Sequence, residues 1–110
     1  MDSAQFEVRG DFGIEWAINF PNPFKASTTI SYVLTDVATD LVEVRIFTVA
    51  GRHIRTLREL DRSVQNYRSL IWDGRDEAGA EVANGVYFAR IKAKHEQESV
   101  EAMVKMAKVR

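Results

Sequence analysis

The chain has 110 residues, with 15 basic and 16 acidic side chains and a net charge of −1, a length that suits one domain with a genuine core. This near-neutral balance argues against a dedicated nucleic-acid binder, which needs a basic face to neutralise phosphates. The sequence has no cysteine and no apolar run near the ~20 residues of a membrane-spanning helix, which excludes a disulfide framework, a thiolate nucleophile and a transmembrane helix.

Residues 1–16 lack the basic and apolar segments of a signal peptide. They are predicted to be a linker or the end of a preceding domain, with one possible strand near residues 6–8. Either the protein is cytosolic, or this is a piece of a longer exported protein with an added Met1. Pro21-Asn22-Pro23 then fixes two φ angles and disfavours helix before each proline. The motif predicts a stiff elbow, and the domain is expected to span residues 17–110.

Apolar side chains alternate along short segments that turn residues separate, and helix signals are scarce. The predicted strands lie at residues 28–34, 42–49, 54–57, 67–72, 86–93 and 100–109. Residues 102–108 also fit a short helix. With the possible strand near 6–8, about seven strands result. They predict an all-β fold, an immunoglobulin-like antiparallel sandwich without a disulfide, and a small closed barrel is the alternative.

The loop from Asp73 to Gly79 holds the carboxylates that come closest to a cation site. Asp73, Asp76 and Glu77 lie near glycines, but the spacing of an EF-hand is not met. These side chains are therefore expected to cap turns. No metal or cofactor is predicted.

Nothing in the sequence favours catalysis. The two histidines, His53 and His95, have no nucleophile elbow, zinc-binding helix motif or phosphate loop beside them. A carboxylate pair for glycoside hydrolysis needs a cleft, which a sandwich of this size rarely offers. We therefore expect a non-enzymatic domain.

Aromatic side chains flank the elbow. Trp16, Phe20 and Phe24 either form a platform for sugars or fold over the open end of the sandwich, and the second reading is preferred. Trp72 is expected between the sheets, where a large aromatic ring buries the most surface.

Several short motifs follow one another along residues 17–110. They are Asn19-Phe20-Pro21-Asn22-Pro23-Phe24, Thr28-Thr29-Ile30-Ser31-Tyr32, Val44-Arg45-Ile46-Phe47 with Gly51-Arg52, Ile54-Arg55-Thr56-Leu57, Trp72-Asp73-Gly74-Arg75-Asp76 with Gly79, Asn84-Gly85-Val86-Tyr87-Phe88, and Lys105-Met106 with Val109. Together they resemble the type IX secretion C-terminal sorting domains, the Por secretion tail family. The block from Trp72 to Phe88 is similar also to the immunoglobulin-like domain of flagellar hook-capping proteins. Phe24-Lys25-Ala26 departs from the Phe-Asn-Pro that the family often has, and residues 63–66 lack a common glycine.

The resemblance implies a non-catalytic label at the C-terminus of a larger exported bacterial protein. It implies as partners the type IX translocon and shuttle proteins of the outer membrane, a sortase-like peptidase and a cargo domain ahead in the parent chain. The implied location is the periplasm in transit, then the cell surface or medium. No cofactor, nucleic acid or membrane span is implied.

The resemblance also implies two sets of residues. The translocon is expected to read the C-terminal segment Lys105, Met106, Ala107, Lys108, Val109 and Arg110. Structural motif positions are expected at Pro21, Asn22, Pro23, Phe24, Gly51, Trp72, Asp73, Gly74, Gly79, Asn84, Gly85 and Tyr87. An open edge on the last strand would suit a partner that adds a strand. Deleting residues 105–110 is expected to leave the domain folded, or mildly destabilised, and to block export.

Two alternatives from other classes remain. One is a structural module like the hook-capping domain, which would make homo-oligomeric or filament contacts. The other is a carbohydrate-binding module of a secreted hydrolase, which would use Trp16 and its neighbours.

Overall fold

The residues that the structure describes form seven antiparallel β-strands. The structure, a computed structural model, describes residues 12–35, 41–59 and 67–109. The strands are β1 (Ile14–Phe20), β2 (Thr28–Leu34), β3 (Leu41–Thr48), β4 (His53–Arg58), β5 (Tyr67–Trp72), β6 (Gly85–His95) and β7 (Glu98–Lys108). Within these residues there is no helix long and apolar enough to cross a membrane.

The strands form two sheets. One has the order β1-β2-β5 and the other the order β4-β3-β6-β7, with every neighbouring pair antiparallel. Apolar side chains of the inner faces fill the space between the sheets, as in an immunoglobulin-like sandwich. The predicted all-β sandwich is confirmed, and two separate sheets replace the barrel alternative.

The period-two pattern accounts for the core. Each strand sends alternate apolar side chains inward, and burying one of them fully contributes about 1.5–3 kcal/mol. The fully buried core residues are Ile30, Tyr32, Leu34, Val42, Val44, Ile46, Trp72, Ala89, Ile91, Ala93 and Met106. Alternation in the sequence predicted these faces correctly.

Strand β1 was not predicted from the sequence, because its large apolar side chains face outward and a polar side chain faces the core. Its large apolar side chains Trp16, Ile18 and Phe20 are 44%, 53% and 75% exposed, whereas Asn19 is buried. A half-buried strand usually has apolar side chains facing the core and polar side chains facing outward. In β1 the apolar row faces outward and the asparagine faces inward, which is the reverse of that pattern. The strand begins at Ile14, so it crosses the boundary expected between residues 16 and 17. The possible strand near residues 6–8 lies outside the described residues.

The segment that fitted either helix or strand is strand. Residues 102–108 belong to β7, which pairs with β6 along its whole length, from Gly85↔Lys108 to His95↔Glu98. Glu96 takes the left-handed conformation in the tight turn between them, with φ at 56°. The β3–β4 hairpin predicted at Gly51-Arg52 is also present, because Gly51 N–H donates to Thr48 O at 2.9 Å.

A buried polar cluster connects the two sheets. Tyr32 in β2 donates its hydroxyl to Glu59 Oε2 at 2.6 Å, and Arg68 Nη1 in β5 donates to Glu59 Oε1 at 2.8 Å. The side chain of Arg68 is 4% exposed and that of Glu59 13%. Burial and the hydrogen bond to Glu59 raise the pKa of Tyr32 well above its usual range. Glu59 follows β4, so the cluster ties the end of one sheet to the other.

Candidate functional site

The outward and inward sides of β7 divide the expected recognition segment in two. Met106 is fully buried and Lys108 is 3% exposed, so both point into the sandwich. Lys105 and Val109 are exposed and Ala107 is half-buried. Arg110 lies outside the described residues. A partner that meets this strand from outside therefore meets Lys105, Ala107 and Val109.

The proline elbow covers the outer edge of β7. Asn22 accepts a hydrogen bond from Ala107 N–H at its Oδ1, 3.0 Å away, and donates from Nδ2 to Lys105 O at 3.2 Å. Phe24 N–H donates to Ala107 O and Phe24 O accepts from Val109 N–H, both at 2.9 Å. The structure thus differs from the expected open edge over residues 105–109, where residues 22–24 occupy backbone groups that an added strand would use.

The elbow is held by two buried polar side chains. Thr28 donates its hydroxyl to Pro21 O at 2.9 Å, and Asn19 Nδ2 donates to Thr28 Oγ1 at 3.1 Å. The peptide bonds before Pro21 and Pro23 are both cis. Asn19 therefore supports the chain reversal, which gives a reason for its inward position in β1.

Phe24 anchors the elbow in the core. Its ring lies 5.6 Å from that of Trp72, which in turn lies 5.6 Å from Tyr87. Trp72 Nε1 donates to Arg75 O at 3.0 Å, which satisfies its only polar atom without exposing the ring. Trp72 takes the predicted core position.

The loop after Trp72 uses its carboxylates to organise the backbone. Asp73 Oδ1 accepts from Arg55 Nη1 at 2.9 Å and from Arg75 N–H at 3.1 Å. Asp76 Oδ1 accepts from the N–H groups of Ala78 and Ala80 at 3.0 and 2.9 Å. Asp73 and Asp76 play the turn-capping role that was predicted, whereas Glu77 Oε2 accepts from Thr56 N–H in β4 at 2.8 Å.

Gly74 brings this loop against the elbow and the last strand. Its φ is +73°, and an added Cβ would lie 2.5 Å from Ala26 O and 3.6 Å from Lys108 Cε. The buried Lys108 ammonium reaches Glu81 Oε2 at 3.6 Å, and Lys108 pairs with Gly85. Motifs far apart in sequence therefore meet at one end of the sandwich, around the end of β7, which we call the terminal-strand end.

The remaining candidates lie elsewhere. His53 lies in β4, where Nε2 is 2.7 Å from Thr56 Oγ1, while His95 ends β6 with its ring 5.5 Å from that of Phe12. The structure does not bring the two histidines together. No cluster of three His, Asp or Glu side chains that could hold a metal ion occurs in the part of the chain that the structure describes.

The aromatic residues near the elbow lie in two different environments. Phe24 is buried as the preferred reading required, but Trp16 and Phe20 do not fold over the open end. They lie on the outer face of the β1-β2-β5 sheet, where the Trp16 ring is 6.0 Å from that of Tyr67. The alternation of β1 decides this, because its inward positions are taken by Ala17 and Asn19.

Two features of the terminal-strand end were not predicted from the sequence. One is the bridge from Asn22 to β7, which joins residues 83 and 85 positions apart. No local pattern marks such a contact. The other is the burial of Lys108, a charged residue that continues the inward alternation of Val104 and Met106.

The fold and this site define a class: a cysteine-free, immunoglobulin-like β-sandwich whose motifs gather around its own last strand. The profile of the family described as "Secretion system C-terminal sorting domain" matches residues 19–105. The chain belongs to this family, the type IX sorting domains, as the motifs predicted. The family is non-catalytic, and membership implies export to the cell surface or medium. No curated protein matches the chain.

Solved structures share the fold. The dimeric latent PorU of Porphyromonas gingivalis is similar over 84% of this chain, with a TM-score of 0.70 and 24% identity. PorZ, an essential surface component of the type IX secretion system of that bacterium, is similar over 86%, with a TM-score of 0.53 and 21% identity. The chain spans only 9% and 11% of these two proteins. FlgD of P. aeruginosa is similar over 88% of this chain and 68% of its own, with a TM-score of 0.56 and 18% identity.

Proposed function

We propose that this chain is the address label of a larger exported bacterial protein and directs it through the type IX outer-membrane translocon. The observation that carries the proposal is the convergence of the family's motifs on the terminal-strand end. The cargo domain precedes the sorting domain in the parent chain, and a linker joins the two. A sortase-like peptidase then cuts in that linker after transit through the periplasm.

The contacts of β7 support recognition of side chains on a folded domain. Asn22 and Phe24 already bond to the outer edge of β7, so a partner that adds a strand would first have to displace them. Lys105 and Val109 point outward from this covered edge, while Met106 and Lys108 fix the strand in register. The translocon or a shuttle protein therefore reads a composite surface made by the elbow and the outward side chains of β7.

Export of a reporter tests the proposal. A periplasm-directed fluorescent protein is fused ahead of the full 110-residue chain and expressed in a type IX-competent bacterium and in a strain without the translocon. We expect fluorescence outside the cell in the first strain only. Retention in the periplasm of both strains, with the domain folded, would contradict the sorting function.

Point variants localise the signal better than truncation does. Deleting residues 105–110 removes the buried Met106 and both partners of Phe24, and loss of a core methionine alone costs about 2–5 kcal/mol. The shortened chain is therefore expected to be strongly destabilised, unlike the mild effect expected from the sequence. The double variant Lys105→Glu/Val109→Ser changes only exposed side chains. Its matched control is Arg52→Glu/Val49→Ser in the β3–β4 turn, also exposed.

We expect the first double variant to stay in the periplasm and the control to be exported. Both should melt within a few degrees of the wild type, because exposed substitutions rarely change stability by more than about 0.5 kcal/mol. If the two double variants were exported equally well, Lys105 and Val109 would not belong to the recognition surface.

A sugar-binding role is the second candidate, and the exposure of Trp16 beside Tyr67 favours it. The outer face of the β1-β2-β5 sheet combines these rings with the hydroxyls of Thr29 and Ser69, and uncharged sugars bind to such mixed surfaces. Electrophoresis through gels that contain a neutral polysaccharide tests this role. A binder is slowed and Trp16→Ala abolishes the slowing, whereas Val49→Ala has no effect. Unchanged mobility of the wild type would exclude it.

A further inference from the structure

The outer face of the β4-β3-β6-β7 sheet is strongly basic, although the chain as a whole has a net charge of −1. Pairing places its outward side chains in rows across the sheet. One row reads Arg58, Glu43, Lys92 and Glu101, and the next reads Thr56, Arg45, Arg90 and Met103. The cationic side chains of this basic face are Arg45, Arg58, Arg90, Lys92, Lys94 and Lys105, and its carboxylates are Glu43 and Glu101.

Several of these cations are held in place. Glu43, whose side chain is 15% exposed, accepts from Arg45 Nε and pairs with Arg58 Nη2, both at 3.0 Å. The guanidinium carbon of Arg90 lies 4.9 Å from the centroid of the Phe47 ring. Glu43, Arg45, Arg90 and Lys92 line a shallow cavity of about 60 Å³. Arg45, Arg58 and Arg90 are therefore held at set positions on the face.

Folding alone does not account for this arrangement. Arg45 and Arg90 are direct cross-strand partners, and like charges at such positions destabilise a sheet. Within the residues that the structure describes, Arg90, Lys92 and Lys94 have no carboxylate at ion-pair distance. A face that sets two arginines opposite each other and leaves three cations without an ion-pair partner among the described residues is suited to an anionic partner.

We infer that this basic face docks an acidic surface of a partner protein in the export machinery, a role that rests on the proposed sorting function. The six cations outnumber the two carboxylates, so the face attracts anionic surfaces in general, and the alternating signs in one row favour a partner with complementary groups at set positions. The half-buried Phe47 and Phe88 and the 57% exposed Met103 lie among the cations. Phenylalanine, methionine and arginine are enriched at protein interfaces.

The basic face also adjoins the proposed recognition surface. Phe88 pairs with Lys105, so one face extends from Lys94 to the outward side chain of the terminal strand. A partner that reads the terminal-strand end can therefore contact the basic face at the same time. Such long-range attraction would speed association of the two proteins and fall with ionic strength.

Binding to three polyanions tests the chemistry of the face directly. The probes are poly-L-glutamate, polygalacturonate and phosphatidylglycerol vesicles, each titrated into the full 110-residue chain at low and high salt. The test variant Arg90→Glu/Lys94→Glu reverses two outward charges. Arg90→Lys/Lys94→Arg keeps the charge at these positions, and Arg52→Glu lowers the net charge away from the face.

We expect poly-L-glutamate to bind the wild type in a salt-sensitive way and the charge-reversed variant roughly tenfold more weakly. Both controls should bind like the wild type. Absence of wild-type binding, or equal affinity of the reversed variant, would overturn the inference. Clearly tighter binding of polygalacturonate or of the vesicles would also overturn it, in favour of an acidic polysaccharide or a lipid surface.

The export assay separates this inference from the sorting function. If the wild-type fusion is exported, Arg90→Glu/Lys94→Glu should reduce export while Arg52→Glu does not, with melting curves that show both variants folded. Full export of the reversed variant would overturn the docking role and leave the sorting function intact. If the wild type itself is not exported, the sorting function fails and the docking role fails with it.

Discussion

At the scale of single residues, side chains that alternate along one strand have opposite roles. In β5, Trp72 is fully buried between Phe24 and Tyr87, while its neighbour Ile71 is 68% exposed. The two residues look equally apolar in the sequence. Only the pleat of the strand, which turns successive side chains to opposite faces, separates them.

This difference predicts unequal costs of truncation. Trp72→Ala leaves a cavity in the core and is expected to lower the free energy of unfolding by about 3–5 kcal/mol. Ile71→Ala, the matched control, should change it by no more than about 0.5 kcal/mol. Urea denaturation of both variants measures the two values. Similar costs at the two positions would contradict the inward orientation of Trp72.

Gly74 and Gly51 give a second matched pair. Both have positive φ, +73° and +91°, but an added Cβ meets Ala26 O at 2.5 Å only at Gly74. Gly51→Ala should cost about 1–2 kcal/mol from backbone strain alone. Gly74→Ala should cost roughly 1–3 kcal/mol more, because the loop must move away from the elbow. Equal losses in thermal or urea denaturation would show that the contact with Ala26 does not matter.

At the scale of elements, the elbow and β7 stabilise each other across the whole length of the sequence. The side chain of Asn22 takes the place of a backbone strand, offering an acceptor to Ala107 N–H and a donor to Lys105 O. Phe24 then completes a short parallel bridge with Lys108. The edge of the terminal strand is thus closed over residues 105–109 by the side chain of Asn22 and the backbone of Phe24.

Hydrogen exchange of the Ala107 amide can distinguish the bond that Asn22 accepts from Ala107 N–H from the bond that it donates to Lys105 O. In Asn22→Ala the Ala107 amide loses its acceptor, and its exchange should speed up by roughly threefold to tenfold, the effect of about one hydrogen bond. Asn22→Asp keeps an oxygen acceptor, so Ala107 should stay protected. The amides of β6 serve as the internal reference. Equal protection of Ala107 in all three proteins would mean that the edge is not closed by Asn22.

At the scale of the whole molecule, the two sheets are joined by the apolar core and by the Tyr32–Glu59–Arg68 cluster. Arg68 and Glu59 are buried as an ion pair, which has to be complete, because removing one partner leaves an unpaired buried charge. The two outer surfaces differ. The β1-β2-β5 sheet presents exposed aromatic and aliphatic side chains, and the other sheet presents the basic face.

Because the pKa of Tyr32 is raised, the free energy of unfolding is expected to change with pH in the alkaline range. Above about pH 10, the usual pKa of tyrosine, the unfolded chain releases this proton while the folded protein keeps it. The unfolded state then binds fewer protons, so the contribution is complete below pH 10 and falls as pH rises, by up to about 1.4 kcal/mol per pH unit.

Urea denaturation between pH 8 and pH 11.5 measures this effect. The loss of stability with pH should be shallower in Tyr32→Phe than in the wild type. Burial also raises the pKa of Tyr87, which leaves part of the slope in place. Identical slopes for Tyr32→Phe and the wild type would contradict the role of the buried cluster.

The amino-acid sequence by itself determined the strands whose apolar residues face inward. For β2, β3, β5 and β6 the alternation matched the buried face, because a half-buried strand records its environment in every second residue. The turn at Gly51-Arg52 and the capping role of Asp73 and Asp76 were also predictable, since they depend on neighbours in the chain. The motifs indicated the family, which the profile match over residues 19–105 confirms.

The tertiary structure alone decided what depends on contacts between distant residues. In β1 the outward apolar row hid the strand, and nothing in its local pattern reveals that Asn19 supports the elbow. The closing of the β7 edge by Asn22, the burial of Lys108 and the basic face all arise from pairing between segments far apart in sequence. Local preferences fix which segments become strands, but which strands become neighbours depends on burial and hydrogen bonding over the whole chain.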